Sequence, residues 1–202
     1  ESGRITEADI DAHVRRILKT INELGAYERP AVDTRFSLRT ASYRDLARQA
    51  AEDSAVLLKN EDSLLPLDPA KARMIAVVGP NAKETPTGGG GAAYVEAENP
   101  VGILDGLLKE FGPKTVVAFV GDDRGGFSEA DAKSIRAADA VIACVGYNHV
   151  IESESFDRSW ALPDFQERLI MNTASLNPRT IVVVNSGGDY DTSHWIRFVP
   201  AL

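Results

Sequence analysis

The stretch of this sequence best equipped for chemistry runs from Tyr147 to Arg158. It reads Tyr147-Asn148-His149-Val150-Ile151-Glu152-Ser153-Glu154-Ser155-Phe156-Asp157-Arg158, with Trp160 just beyond. Three carboxylates, an arginine and two rings, Phe156 and Trp160, fall close together. Such a set suits sugar chemistry: rings stack on pyranose faces, and a carboxylic acid protonates a glycosidic oxygen. Glu152 and Glu154 stand two apart. In an extended loop their side chains point opposite ways, so one of them faces a given site. A plainer reading stays open, a solvated acidic loop with an Asp157–Arg158 structural pair.

Other constellations are weaker. Gly79-Pro80-Asn81-Ala82-Lys83 through Gly88-Gly89-Gly90-Gly91 is glycine-rich and follows an apolar run. It lacks the Gly-Lys-Ser/Thr of a P-loop and the G-x-G-x-x-G of a dinucleotide turn. It reads either as a surface loop or as a rim where backbone approaches a ligand closely. Cys144, His149 and Glu152 could be drawn as a metal site, but Cys144 falls within an apolar run and reads as inert core. No metal is expected. Ser186, Asp191 and His194 could be drawn as a triad, yet no Gly-x-Ser-x-Gly elbow supports them. His13 lies on the first helix and reads as a surface residue.

Composition bounds the rest. The chain has 202 residues, 44% hydrophobic and 26% charged, which is globular rather than disordered. Its single cysteine excludes an internal disulfide framework. The formal net charge of -8, with no basic patch beyond Arg15-Arg16 and Lys71-Ala72-Arg73, argues against nucleic acid and anionic membranes as partners. No apolar run nears the roughly 20 residues of a membrane span. The polar start Glu1-Ser2-Gly3-Arg4 shows no leader and reads as mid-protein.

The elements that must position the loops can be read from periodicity. Thr6-Glu7-Ala8-Asp9 is a capping box. Ile10, Val14, Ile17, Leu18, Ile21 and Leu24 then repeat with the helical period of one buried face, and Gly25 ends it. Glu28–Arg39, with Pro30, reads as a linker. A second helix is expected from Tyr43 to Leu57. Short apolar runs at Met74–Val78, Thr115–Val120, Ala140–Val145 and Thr180–Val184 read as buried strands. Helices over 101–111, 128–138 and 163–176 separate them, with Ser128 as an N-cap and Pro163 opening the last. The fold class is therefore α/β, a mostly parallel sheet with helices on both faces. Ligands of such sheets sit beyond the carboxyl ends of the strands. That directs attention to Gly79–Ala93, Gly121–Phe127, Gly146–Leu162 and Asn185–Trp195.

Taken in order, several stretches resemble glycoside hydrolase family 3, the β-glucosidase type. They are Ala55-Val56-Leu57-Leu58-Lys59-Asn60 with Leu64-Leu65-Pro66-Leu67, and Ile75-Ala76-Val77-Val78-Gly79-Pro80-Asn81-Ala82. The run Gly88–Gly91 follows. Then come Glu152-Ser153-Glu154-Ser155-Phe156-Asp157-Arg158 with Leu162-Pro163 and Gln166, and Val182-Val183-Val184-Asn185-Ser186-Gly187-Gly188 with Trp195. Ile10-Asp11 with Val14-Arg15-Arg16-Ile17-Leu18 looks like the last helix of that family's N-terminal barrel.

The resemblance implies an organisation and a role. Residues 1–27 would be the final helix of a (β/α)8-type barrel, 28–42 a linker, and 43–202 an α/β sandwich domain truncated at its C-terminal end. The parent would be a retaining exo-acting β-glucosidase, needing no cofactor, whose nucleophile is an Asp of the barrel. Glu154 stands where the family places its acid/base, before a Gly-aromatic-Asp-Arg run, with Glu152 as the fallback. Ser155 replaces the usual Gly, and Gly91 stands where a sugar-contacting Ser often lies. Phe156 and Trp160 could desolvate the acid. Gly90, Gly91, Phe156, Asp157 and Arg158 are the implied substrate contacts. The implied partners are a β-glucoside or oligosaccharide substrate and the barrel of the same protein, with a homodimer left open. A β-xylosidase, or a non-catalytic sugar-binding or structural module, are the alternatives. A family N-acetylglucosaminidase fits less well, since those members commonly lack this second domain. Periplasm or secretion is favoured by the resemblance, and cytoplasm is compatible.

Overall fold

The computed structural model describes residues 3–29, 32–37, 40–83, 86–119, 121 and 124–202. Pro30 and Arg39 of the expected linker and Val120 of the expected second strand lie outside the described residues, as do parts of the Gly79–Ala93 and Gly121–Phe127 loops. The chain divides into two compact units, Glu1–Ala55 and Val56–Leu202.

The first unit holds helices α1 (Glu7–Glu23) and α2 (Ala41–Asp53). Thr6 caps α1 as the sequence expects: its hydroxyl accepts from the Asp9 N–H, and the Asp9 carboxylate accepts from the Thr6 N–H at 2.9 Å. The apolar stripe is present but is not buried. Val14 is 45% exposed and Ile17 61%, and neither helix buries a residue. Periodicity marks the face a helix can bury; it does not supply what covers it. His13 is exposed. Helix α2 starts at the Thr40 cap and ends earlier than expected. The Ser54 hydroxyl turns back onto the Ala51 carbonyl at 2.8 Å, a local bond that competes with helix continuation.

The second unit is a four-stranded parallel sheet. Its strands are β1 (Ile75–Val78), β2 (Val116–Ala118), β3 (Ala140–Gly146) and β4 (Thr180–Asn185), in the spatial order β2-β1-β3-β4. Helices α3 (Ile103–Phe111), α4 (Glu129–Ala137) and α5 (Asp164–Leu176) connect them. Strand alternation splits the core in two. Ile75, Val77, Ile142, Cys144 and Ile181 face one layer with α3 residues Ile103, Leu104, Leu107 and Phe111. Ala76, Val78, Val141, Ala143, Val145 and Val182 face the other, with Ile135 of α4 and Leu169 and Ile170 of α5. This is the α/β architecture the apolar runs predict. Pro163 proves to be the N-cap of α5 rather than its first helical residue.

Polar ties fix the frame. Asp139 accepts from the N–H groups of Arg73 and Met74 at 2.7 and 2.9 Å, which holds the start of β1 against β3. Those backbone donors, Met74 first, keep its carboxyl below the usual range. The stretch 58–61 pairs with 200–202: the Leu58 and Lys59 N–H groups donate to the Leu202 carbonyl at 2.8 and 3.1 Å. Ala201 in turn accepts from the Val182 N–H at 3.0 Å. Among the described residues, no helix is long and apolar enough to cross a membrane.

Candidate functional site

Strand order reverses at β1 and β3: the chain leaves β1 toward β2 on one side and returns to β3 on the other. A crevice beyond the carboxyl ends of such strands is where open α/β sheets take ligands. Two loops rise from this switch point, 79–102 after β1 and 147–163 after β3. At its base the buried Asn81 donates through Nδ2 to the Val145 carbonyl at 2.9 Å. Buried Gln166 of α5 makes two hydrogen bonds to Gly146, accepting from its N–H at 2.7 Å and donating to its carbonyl at 2.9 Å.

The two loops are stitched together. The Gly90 N–H donates to the Glu152 carbonyl at 2.7 Å, and Gly90 bridges Ser153 in parallel. The Glu154 N–H donates to the Gly90 carbonyl at 3.4 Å. The Ala92 N–H donates to Glu154 Oε2 at 2.9 Å. Among the described residues the other oxygen, Oε1, has no hydrogen-bond partner, and the residue is exposed. Glu154 therefore sits at a turn tip, one oxygen held and the other unbonded. Gly91 lies against it at φ 83°. Ser155 adopts φ 61°, the left-handed region that the usual Gly would occupy without strain.

Glu152 is committed elsewhere. Its Oε1 lies 2.7 Å from Arg158 Nε, and its Oε2 accepts from the Gly187 N–H at 3.1 Å. Arg158 thus pairs with Glu152, not with Asp157 as sequence adjacency suggests. The guanidinium also stands 4.3 Å from the Tyr147 ring centroid and donates from Nη2 to the Asp189 carbonyl at 2.6 Å. Burial pushes the Tyr147 phenol up, with Arg158 opposing the shift. Asp157 is exposed and has no ion pair among the described residues. Phe156 and Trp160 are 57% and 61% exposed, so neither ring encloses the acid. The sequence does not single out Ala92 or Gly187, because both contribute a backbone N–H, which carries no side-chain signature.

The remaining constellations do not assemble. Cys144 is wholly buried in the α3 layer, and burial pushes its thiol up to about 12. No group of three ligand-type side chains that could hold a metal occurs among the described residues. Ser186 Oγ turns to the Gly188 carbonyl, and His194 Nδ1 lies 3.1 Å from Glu167 Oε2. That leaves no serine–histidine–aspartate relay.

Comparison with known proteins agrees with this architecture. A family model described as the glycosyl hydrolase family 3 C-terminal domain matches residues 55–202. Thermostable beta-glucosidase B of Acetivibrio thermocellus is 32% identical over 211 residues, covering 100% of this chain and 27% of that protein. A beta-xylosidase of Formosa agariphila is 33% identical over 208 residues, covering 96% of this chain and 29% of its own length. The crystal structure of a beta-glucosidase from Listeria innocua in complex with glucose superimposes with a TM-score of 0.78 at 28% identity. It covers 99% of this chain and 28% of that one. The chain thus spans less than a third of the length of these relatives. With a parallel sheet whose switch point carries an exposed glutamate, and a family match over most of its length, the chain belongs to glycosyl hydrolase family 3 and carries its C-terminal domain.

Proposed function

We propose that this chain supplies the general acid/base of a retaining β-glucosidase, and that Glu154 is that group. The observation that carries the reading is the contrast between two neighbouring carboxylates. Glu152 has both oxygens engaged by Arg158 and Gly187, whereas Glu154 is exposed with one oxygen held by Ala92. The Ala92 N–H binds Oε2, so the proton to be delivered resides on Oε1. From there it passes to the leaving glycosidic oxygen, and the same oxygen then takes a proton from the incoming water.

The nucleophile is an Asp of a barrel domain, as the resemblance implies, and residues 1–27 with their uncovered stripe belong to that barrel's last helix. Retention requires the two carboxyls about 5–5.5 Å apart. Gly90 and Gly91 form the rim beside the sugar, and Phe156 and Asp157 offer it an exposed ring and carboxylate. Arg158 acts on the sugar indirectly, its guanidinium held by Glu152 and by the Ser159 and Asp189 carbonyls. A β-xyloside is the second substrate reading, favoured by the similarity to the Formosa agariphila beta-xylosidase.

The test is Glu154→Gln in the full-length product of the gene that encodes this chain. Hydrolysis of alkyl β-glucosides should fall on the order of 10²–10⁴-fold, with much smaller loss on dinitrophenyl β-glucoside and rescue there by azide. Unchanged kinetics would remove Glu154 from the role. Parallel assays with β-xylosides decide the sugar. The residues 1–202 alone should be inactive on p-nitrophenyl β-glucoside, since the nucleophile lies elsewhere; activity there would contradict the mechanism.

A further inference from the structure

We infer that Glu152 and Arg158 form a positioning clamp that sets the placement of Glu154, an inference that rests on the acid/base reading of Glu154. The pair closes the loop 152–158 at its base, and Glu154 rides near the tip. Both side chains are mostly shielded, at 21% and 17% exposure. The two residues reach three separate segments through side chain and backbone. Glu152 Oε2 takes the Gly187 N–H from the loop after β4, and the Glu152 carbonyl takes the Gly90 N–H from the loop after β1. Arg158 Nη2 gives to the Asp189 carbonyl, and its plane lies over the Tyr147 ring at the end of β3. Tyr147 is itself anchored, its hydroxyl donating to the Ser159 carbonyl at 3.1 Å.

The clamp side chains therefore reference the tip to the ends of β3 and β4, while the backbone of Glu152 ties it to the loop after β1. Without it, Glu154 is held to the glycine loop by a 3.4 Å backbone bond and the Ala92 contact. Glu152 has both carboxylate oxygens engaged, and Arg158 is held by Glu152, the Ser159 and Asp189 carbonyls and the Tyr147 ring, so both act through Glu154. A mere stabiliser of the domain would lower the melting temperature and affect all substrates alike. A positioning pair predicts something narrower. Displacing a proton donor by about 1 Å costs about 10²-fold where the proton is needed in the transition state. It costs little where the leaving group departs unprotonated.

The experiment compares Glu152→Gln, Arg158→Met and the paired Glu152→Met/Arg158→Met in the full-length protein, with Glu154→Gln alongside. For the clamp variants, kcat/KM on methyl β-glucoside should fall about 10–100-fold. On dinitrophenyl β-glucoside kcat/KM, which reports the bond-breaking step alone, should hold within about 3-fold, and azide should restore the kcat lost there to slower attack of water. The paired variant leaves no unpaired buried charge, so it reports on positioning even where a single variant fails to fold. Equal losses of kcat/KM on the two substrates in the paired variant, or none on either, would overturn the clamp. If Glu154→Gln itself shows no leaving-group dependence, the acid/base reading fails instead, and the two failures are told apart.

Discussion

Gly91 and Glu154 meet with no room between them: a Cβ added to Gly91 would stand 2.6 Å from the Glu154 Cβ. Many family members are expected to carry a serine at this point of the glycine loop, and here one cannot fit unless the turn moves. Gly91→Ala should cost about 1–2 kcal/mol from its positive φ alone and push the glutamate off its Ala92 anchor. Thermal melts of the chain should show a lower midpoint. In the full-length protein, turnover of alkyl glucosides should fall more than that of activated ones.

Ser155 carries strain that can be removed. It holds φ 61° where a Cβ is disfavoured. Ser155→Gly should stabilise the domain by up to about 1 kcal/mol, provided the added freedom of the unfolded chain does not offset the relief. Urea titration measures this directly. An unchanged or lower midpoint would mean that the unfolded-state entropy dominates. Activity should be retained.

Glu167 and His194 tie α5 to the segment after β4. The hydrogen bond that Glu167 accepts from His194 Nδ1, with its charge and that of Asp191, holds His194 above its ordinary value. A raised histidine contributes stability that is fully present below the unfolded pKa of about 6.5. That contribution is lost as pH rises through the folded value. The melting difference between the native chain and His194→Ala should therefore be largest near pH 5–6 and fade toward pH 8–9. A difference independent of pH would show that the imidazolium is not involved.

Cys144 should be chemically silent. Its thiol is buried and its pKa raised to about 12, so the thiolate that reacts is scarce at pH 8. A disulfide reagent should titrate no thiol in the folded protein and one equivalent in guanidinium. Rapid native labelling would mean that the α3 layer opens readily.

Much of the frame was legible from the residues. Ala140–Val145 is an unbroken apolar run ended by Gly146, and it folds as the longest strand, buried throughout because both sheet faces are covered. Pairing of the loops was not legible. Arg158 has Asp157 beside it in sequence, yet it reaches Glu152, because the turn brings position 152 back across the base of the loop. Gly187 and Asp189 enter from the far side of β3, through strand pairing that no local pattern encodes. The rings at 156 and 160 suggested an enclosed acid by their proximity in the chain. Folding instead turns both outward. The stripe on α1 is a third case, since spacing defines an apolar face without defining its cover.

The bond between Ala92 and Glu154 spans 62 positions and crosses from one strand's exit to another's. Everything between them, including β2, α3 and α4, must be threaded before that contact exists. Parallel pairing of this kind is slow, since a long crossover has to close before neighbouring strands reward it. During refolding the Ala92–Glu154 contact should therefore mature no earlier than the junction of β1 with β3. Proteolytic fragments that divide the chain between those strands should carry the glutamate but not its setting.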